Sequence, residues 1–114
     1  MKLITAVFKP SRLDAVLDAV TEAGASGVTV SEVRGYGRQQ GKTEVYRGAE
    51  YEVRLLPKVK IEIAVATDIA EKVVEAVSAA ANTQKIGDGK IFVSDLEAVL
   101  RIRTGERDAA AIAS

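Results

Sequence analysis

The sequence predicts an α+β sandwich of the ferredoxin-like kind, in the order β-α-β-β-α-β. Three observations point there. Two segments with the apolar period of a helix, after Ser11 and after Asp68, are each flanked by short β-branched runs. The pattern β-α-β occurs twice, with a long hydrophilic stretch between the two halves. Residues 59–65 alternate apolar and polar with a period of two, as expected of a strand covered on one face. The 114 residues suffice for one domain, 1–114. Right-handed crossovers put both helices on the same side of the sheet.

Taken in order, residues 3–8 are apolar or small at both parities, which suits a strand buried on both faces. Ser11, three residues before Asp14, is the expected N-cap of a helix whose Leu13, Val16, Leu17 and Val20 share a face. Gly24 is its expected stop. Residues 28–36 are β-branched, but the alternation slips between Val30 and Val33, which predicts a bulge. Asp68 with Glu71 repeats the capping pattern before a helix with Ile69, Val73, Val74 and Val77 on one face. Residues 91–94 form the fourth strand. Residues 99–103 are expected to be extended, with Arg101 and Arg103 on one side, followed by a flexible tail, 104–114. With the helices on one face and an apolar first strand, the second face needs a cover, and self-association is the economical one.

Composition narrows the chemistry. Hydrophobic residues make up 47% and aromatic ones only 4%, so the core is aliphatic. The 16 Lys and Arg balance 16 Asp and Glu, which argues against nucleic acid as the main partner. No cysteine and no histidine is present, which excludes disulfides, thiolate chemistry, the usual zinc sites and His-dependent triads. Mg²⁺ held mostly by a nucleotide remains possible. The N-terminal apolar run is too short for a signal or a membrane span, so a cytoplasmic protein is expected.

Residues 35–57 stand apart. They contain Gly35, Gly37 and Gly41, mixed charges, Tyr46 and Tyr51, and close at Pro57. They read as a long functional loop, 37–57, on a rigid mount. The glycine spacing is one residue too long for a dinucleotide fingerprint, and no helix pattern opens there. Gly87-Asp88-Gly89-Lys90 joins the second helix to the fourth strand. Its glycines allow successive N–H groups to form an anion-binding nest, to which Lys90 adds charge, although a plain glycine turn is equally compatible. Arg101 and Arg103 could present two guanidinium forks to a polyphosphate, or merely line a solvated edge. Lys58, Lys60 and Glu62 share a strand face. If that face is partly covered, Lys58 suits a carboxylate and Glu62 a hydroxyl or amino group.

Five co-linear segments carry a resemblance to the PII nitrogen-regulatory signal-transduction family: 35–39, 46–51, 56–62, 83–93 and 101–106. The resemblance runs essentially the full length. It implies a homotrimer with inward-facing sheets and a nucleotide site between subunits where ATP and ADP compete. Gly87, Asp88, Gly89 and Lys90 would cradle the phosphates, with Arg101 and Arg103 reaching them. Thr29, Glu62 and Ala64 would surround adenine and ribose, with Gly35, Gly37 and Arg38 nearby. Gln39 would help ligate Mg²⁺ on ATP, and 2-oxoglutarate would complete that coordination against Gly87, with Lys58 pairing its far carboxylate. Tyr51 would be the nucleotidylated residue. The implied partners are an ammonium transporter, which would bring the protein reversibly to the membrane, a nucleotidylyltransferase and regulators of glutamine synthetase. The implied role is that of a non-enzymatic sensor. The competing readings are a small ATP-using phosphotransferase and a PII-like binder of a different small ligand. Ser11 and Ala64 depart from residues frequent in the family, and the tail from Asp108 matches weakly.

Overall fold

The computed structural model describes residues 1–36, 42–46, 49–53 and 55–113, with the side chains of 1–36 and 55–113. Strand β1 spans Lys2–Phe8, helix α1 Leu13–Glu22, β2 Thr29–Gly35, β3 Lys42–Tyr46, β4 Ala49–Val53, β5 Leu56–Val65, α2 Thr67–Ala81, β6 Gly89–Asp95 and α3 Ala109–Ile112. Four strands form a sheet in the order β2-β5-β1-β6, and its three pairings are all antiparallel. This is the predicted ferredoxin-like arrangement. Strands β3 and β4 form a separate two-stranded sheet within the stretch read as a loop.

The core lies between the sheet and the helices. From β1 it takes Ile4, Ala6 and Phe8, and from β5 Val59, Ile61, Ile63 and Val65. Val16 and Val20 of α1 and Ala70, Val73, Val77 and Ala81 of α2 close over them. Each fully buried branched side chain contributes about 1.5–3 kcal/mol relative to exposure. Gly24, at φ +107°, ends α1. Its N–H donates to Thr21 O at 3.1 Å and the Ala25 N–H to Val20 O at 3.0 Å, the paired bonds of a Schellman stop.

The structure departs from the sequence reading at four further places. Ser11 is not an N-cap: Pro10–Arg12 form a 3-10 turn, and α1 follows from Arg12 with no side-chain cap bond. Pro10, with its fixed φ, starts helical geometry earlier than the capping pattern suggests. Asp68 is likewise not the cap of α2. Ala66 precedes the helix, and Asp68 lies in the first turn, where its charge favours the helix dipole. Strand β2 carries no bulge, because its register with β5 is continuous from Thr29↔Glu62 to Gly35↔Leu56. Val30 and Val33 fall on opposite faces of an edge strand that buries neither face fully, so alternation carries little weight there.

Residues 99–103 are the fourth. Only Leu100 makes a β-bridge, to Arg107, and the chain reverses between them. Arg101 N–H donates to Glu106 O at 2.9 Å and Gly105 N–H to Arg101 O at 2.8 Å. Gly105, at φ +74°, makes the reversal possible. Beyond it the tail carries α3, and the Ser26 hydroxyl donates to Ile112 O at 2.5 Å.

Candidate functional site

The antiparallel ladders assign the polar residues of β5 to the uncovered face. Thr29, Glu62, Thr5 and Phe92 form one row across the sheet, and Ser31, Lys60, Val7 and Lys90 the next. Along β5, Lys58, Lys60, Glu62 and Ala64 are all half-buried, and Leu3, Thr5 and Val7 of β1 lie among them in the same state. Phe92 is 53% exposed. One end of this face opens into a cavity of about 670 Å³, lined by Val7, Gly35, Tyr36, Leu56, Lys58, Ile86, Gly87, Gly89, Lys90 and Phe92.

The wall formed by residues 82–89 is built by side-chain hydrogen bonds rather than by burial. Ile86 is 67% exposed and anchors nothing. Gln84, Gly87 and Gly89 all have positive φ, at 64°, 92° and 106°. Gly89 has a second constraint, since a Cβ there would stand 1.8 Å from Val7 O. The glycine is required because the loop lies directly on β1 where β6 begins. The Asp88 carboxylate ties the loop to itself. It accepts from Thr83 N–H at 2.7 Å, from the Thr83 hydroxyl and from Lys85 N–H at 3.4 Å. Lys9 Nζ pairs with it at 3.2 Å and also donates to the Thr83 hydroxyl at 3.2 Å. Asn82 Oδ1 accepts from Gln84 N–H at 2.8 Å. These bonds, that from the Thr83 hydroxyl first, hold the Asp88 carboxyl well below its usual pKa. Residues 86–87 form a hydrogen-bonded turn closed at Asp88, and among the described residues the N–H groups of Ile86 and Gly87 donate to no protein acceptor.

Lys58 reaches the same loop from β5 and donates to Gly87 O at 2.5 Å. Burial lowers its pKa, the nearby Lys9 ammonium lowers it further, and Asp88 acts in the opposite direction. The cavity thus combines unused N–H donors and two ammonium groups, those of Lys58 and Lys90. That combination suits an anion with several oxygens.

The structure therefore brings together Gly35, Lys58, Gly87, Gly89 and Lys90 among the residues singled out from sequence. Asp88 belongs to the same loop, but its carboxylate turns toward Thr83 and Lys9. Thr29, Glu62 and Ala64 share the open face farther along the sheet. Arg101 and Arg103 do not project side by side. Arg101 donates to Ala111 O at 2.9 Å and faces Glu106 at 3.6 Å, and Arg103 is exposed on the turn. Gly37, Arg38 and Gln39 lie outside the described residues. Tyr51 pairs with Glu44 in the β3–β4 ladder, and its side chain lies outside the described set. Sequence reasoning did not single out Lys9. Its 74-residue separation from Thr83 hides the contact, and the only local signal is its position between the last residue of β1 and Pro10.

Among the described residues no group of three or more acidic side chains could hold a metal, and no helix is long and apolar enough to cross a membrane. A family model described as nitrogen regulatory protein P-II matches residues 1–106. The chain is 55% identical over 112 residues to the nitrogen regulatory protein P-II of Rhizobium etli, an alignment that covers 98% of this chain and 100% of that one. It is 56% identical to the nitrogen regulatory protein GlnK of Escherichia coli, with the same coverage. Nitrogen regulatory protein P-II 1 of Escherichia coli is 59% identical, again over 98% and 100%. On fold, family match and identity together, the chain belongs to the P-II family of nitrogen regulatory proteins.

Proposed function

We propose that this protein is a homotrimeric sensor of ATP, ADP and 2-oxoglutarate that acts on its targets without catalysing a reaction of its own. The observation that carries the reading is the cavity beside residues 86–90, where unused N–H groups, Lys58 and Lys90 converge. A nucleotide polyphosphate matches these donors. Three open sheet faces turned toward one another would cover Phe92, Leu3 and Val7. They would also bring Thr29, Glu62, Ala64, Arg101 and Arg103 of one subunit toward the cavity of the next. That division explains why Arg101 and Arg103 stand apart from the Gly87 loop within a single chain.

In this reading Gln39 and the ATP phosphates hold Mg²⁺, and 2-oxoglutarate completes its coordination. The far carboxylate draws Lys58 away from Gly87 O, so the second ligand alters the hold on the loop that binds the first. Residues 37–57 connect to both sites through Gln39 and Lys58, and their altered shape is what partners read. Those partners are an ammonium transporter, which brings the protein from the cytoplasm to the membrane, and regulators of glutamine synthetase. Tyr51 is the residue on which a nucleotidylyltransferase acts, adding bulk and negative charge.

Calorimetry tests the reading. 2-Oxoglutarate is expected to bind in the presence of Mg-ATP and not with ADP or without Mg²⁺, and by reciprocity to tighten ATP binding. Equal binding of 2-oxoglutarate under all three conditions contradicts it.

A further inference from the structure

Lys9 lies outside the ligand contacts considered so far, yet it occupies a particular place. The last rung of the β1–β6 ladder pairs Phe8 with Gly89. One step beyond, antiparallel geometry sets Lys9 opposite Asp88. Its ammonium spans that gap to Asp88 Oδ1 at 3.2 Å and to the Thr83 hydroxyl at 3.2 Å. Both side chains of the ion pair are only about one-fifth exposed, at 20% for Lys9 and 22% for Asp88. The loop has no apolar anchor, and Gln84, Gly87 and Gly89 are in the left-handed region. Besides the bonds from Lys58 to Gly87 O and from Gln84 N–H to Asn82, its shape depends on where the Asp88 carboxylate is held.

We propose that Lys9 is a positioning residue for the anion-binding loop. By fixing the Asp88 carboxylate at the end of β1, it aims the Ile86 and Gly87 N–H groups into the cavity and keeps a negative charge turned away from the bound anion. The proposal rests on the nucleotide reading for its functional consequence, but not for the lock itself. Loss of Lys9 has two effects of the same sign. The Asp88 carboxylate loses its counter-charge beside the phosphates, and the loop keeps only the Lys58–Gly87 O bond as a side-chain tie to the sheet.

The test uses the full chain with Lys9→Met, Lys9→Arg, Asp88→Asn and the Lys9→Met/Asp88→Asn pair. Calorimetry with ADP and with adenosine separates phosphate binding from binding of the base. Lys9→Met is expected to weaken ADP binding by about tenfold, the scale of one charge-assisted hydrogen bond, and adenosine binding by less than about twofold. Lys9→Arg should restore ADP binding to within about threefold, because a guanidinium preserves the pair. In the Asp88→Asn background the Lys9 substitution should change little, since its action runs through that carboxylate. Equal weakening of ADP and adenosine, or a full Lys9 effect persisting without the Asp88 charge, overturns the proposal. Amide hydrogen exchange of the ligand-free protein tests the lock independently. Thr83 and Lys85 N–H groups should exchange at least about tenfold faster in Lys9→Met, as their acceptor becomes mobile. Faster exchange in a protein that takes up no ADP retains the lock and rejects the nucleotide reading. Unchanged exchange rejects the lock.

Discussion

The two faces of the four-stranded sheet share one backbone and differ in everything their side chains do. Toward the helices, β1 and β5 present Ile4, Ala6, Phe8, Val59, Ile61, Ile63 and Val65, all buried. Away from them the same strands present Leu3, Thr5, Val7, Lys58, Lys60, Glu62 and Ala64, all half-buried. The first face is complete within one chain, because α1 and α2 supply its partner. The second mixes apolar and charged groups and ends in a cavity. A strand in which every second residue is charged is often only a solvated surface. Here the charges flank apolar residues of β1 and an exposed Phe92, a pattern suited to an interface with ligands at its margin. One strand thus holds the fold together with one parity and, in the reading proposed above, addresses ligands with the other.

Ile61→Ala strikes the covered face at a fully buried position, and should lower stability by about 4 kcal/mol through lost transfer energy and a residual cavity. Lys60→Ala, its neighbour on the open face, should change stability by less than about 1 kcal/mol. Denaturant unfolding measures both, and equal costs would erase the distinction between the faces.

Gly89→Ala acts where the two faces meet. The added Cβ would lie 1.8 Å from Val7 O at a residue with φ +106°. A cost of about 3 kcal/mol is expected as the loop separates from β1. Thermal unfolding reads the cost, and the amide chemical shifts of Gly87 and Lys90 report the displaced loop.

The smallest effect concerns acid. The Asp88 carboxyl titrates below its ordinary value of 3.8, so its contribution to stability is complete above that pH. It is lost as pH falls from there through the lowered folded value. Asp88→Asn should flatten this part of the stability profile between about pH 4 and pH 2 and leave the slope above pH 5 unchanged. Denaturant midpoints measured across that range check the sign.

The legibility of the fold followed the strength of each local signal. The alternation in β5 and the helical periods of α1 and α2 are enforced by a core that each must face, and they appear where expected. The 3-10 turn at Pro10 and the reversal at Gly105 are decided by backbone geometry over three or four residues, which apolar patterning does not report. The glycine turn at 87–90 was visible as a motif. What shapes it was not, because the Asp88 carboxylate draws on Lys9 from the far end of the first strand. Arg101 and Arg103 were visible as a pair of guanidinium groups, but their placement depends on a turn and, in the reading proposed above, on a second subunit. Pairings between distant segments, and pairings between chains, leave no period in a sequence.

In the proposed trimer the open face is covered by other copies of this chain. Sedimentation equilibrium of the ligand-free protein tests it directly, with Phe92→Asp as the comparison. A closed trimer of the 12.1 kDa chain predicts a mass of about 36 kDa for the unaltered protein, and a smaller mass with unchanged secondary structure for Phe92→Asp. A mass of 12.1 kDa for the unaltered protein across the micromolar range would contradict the account.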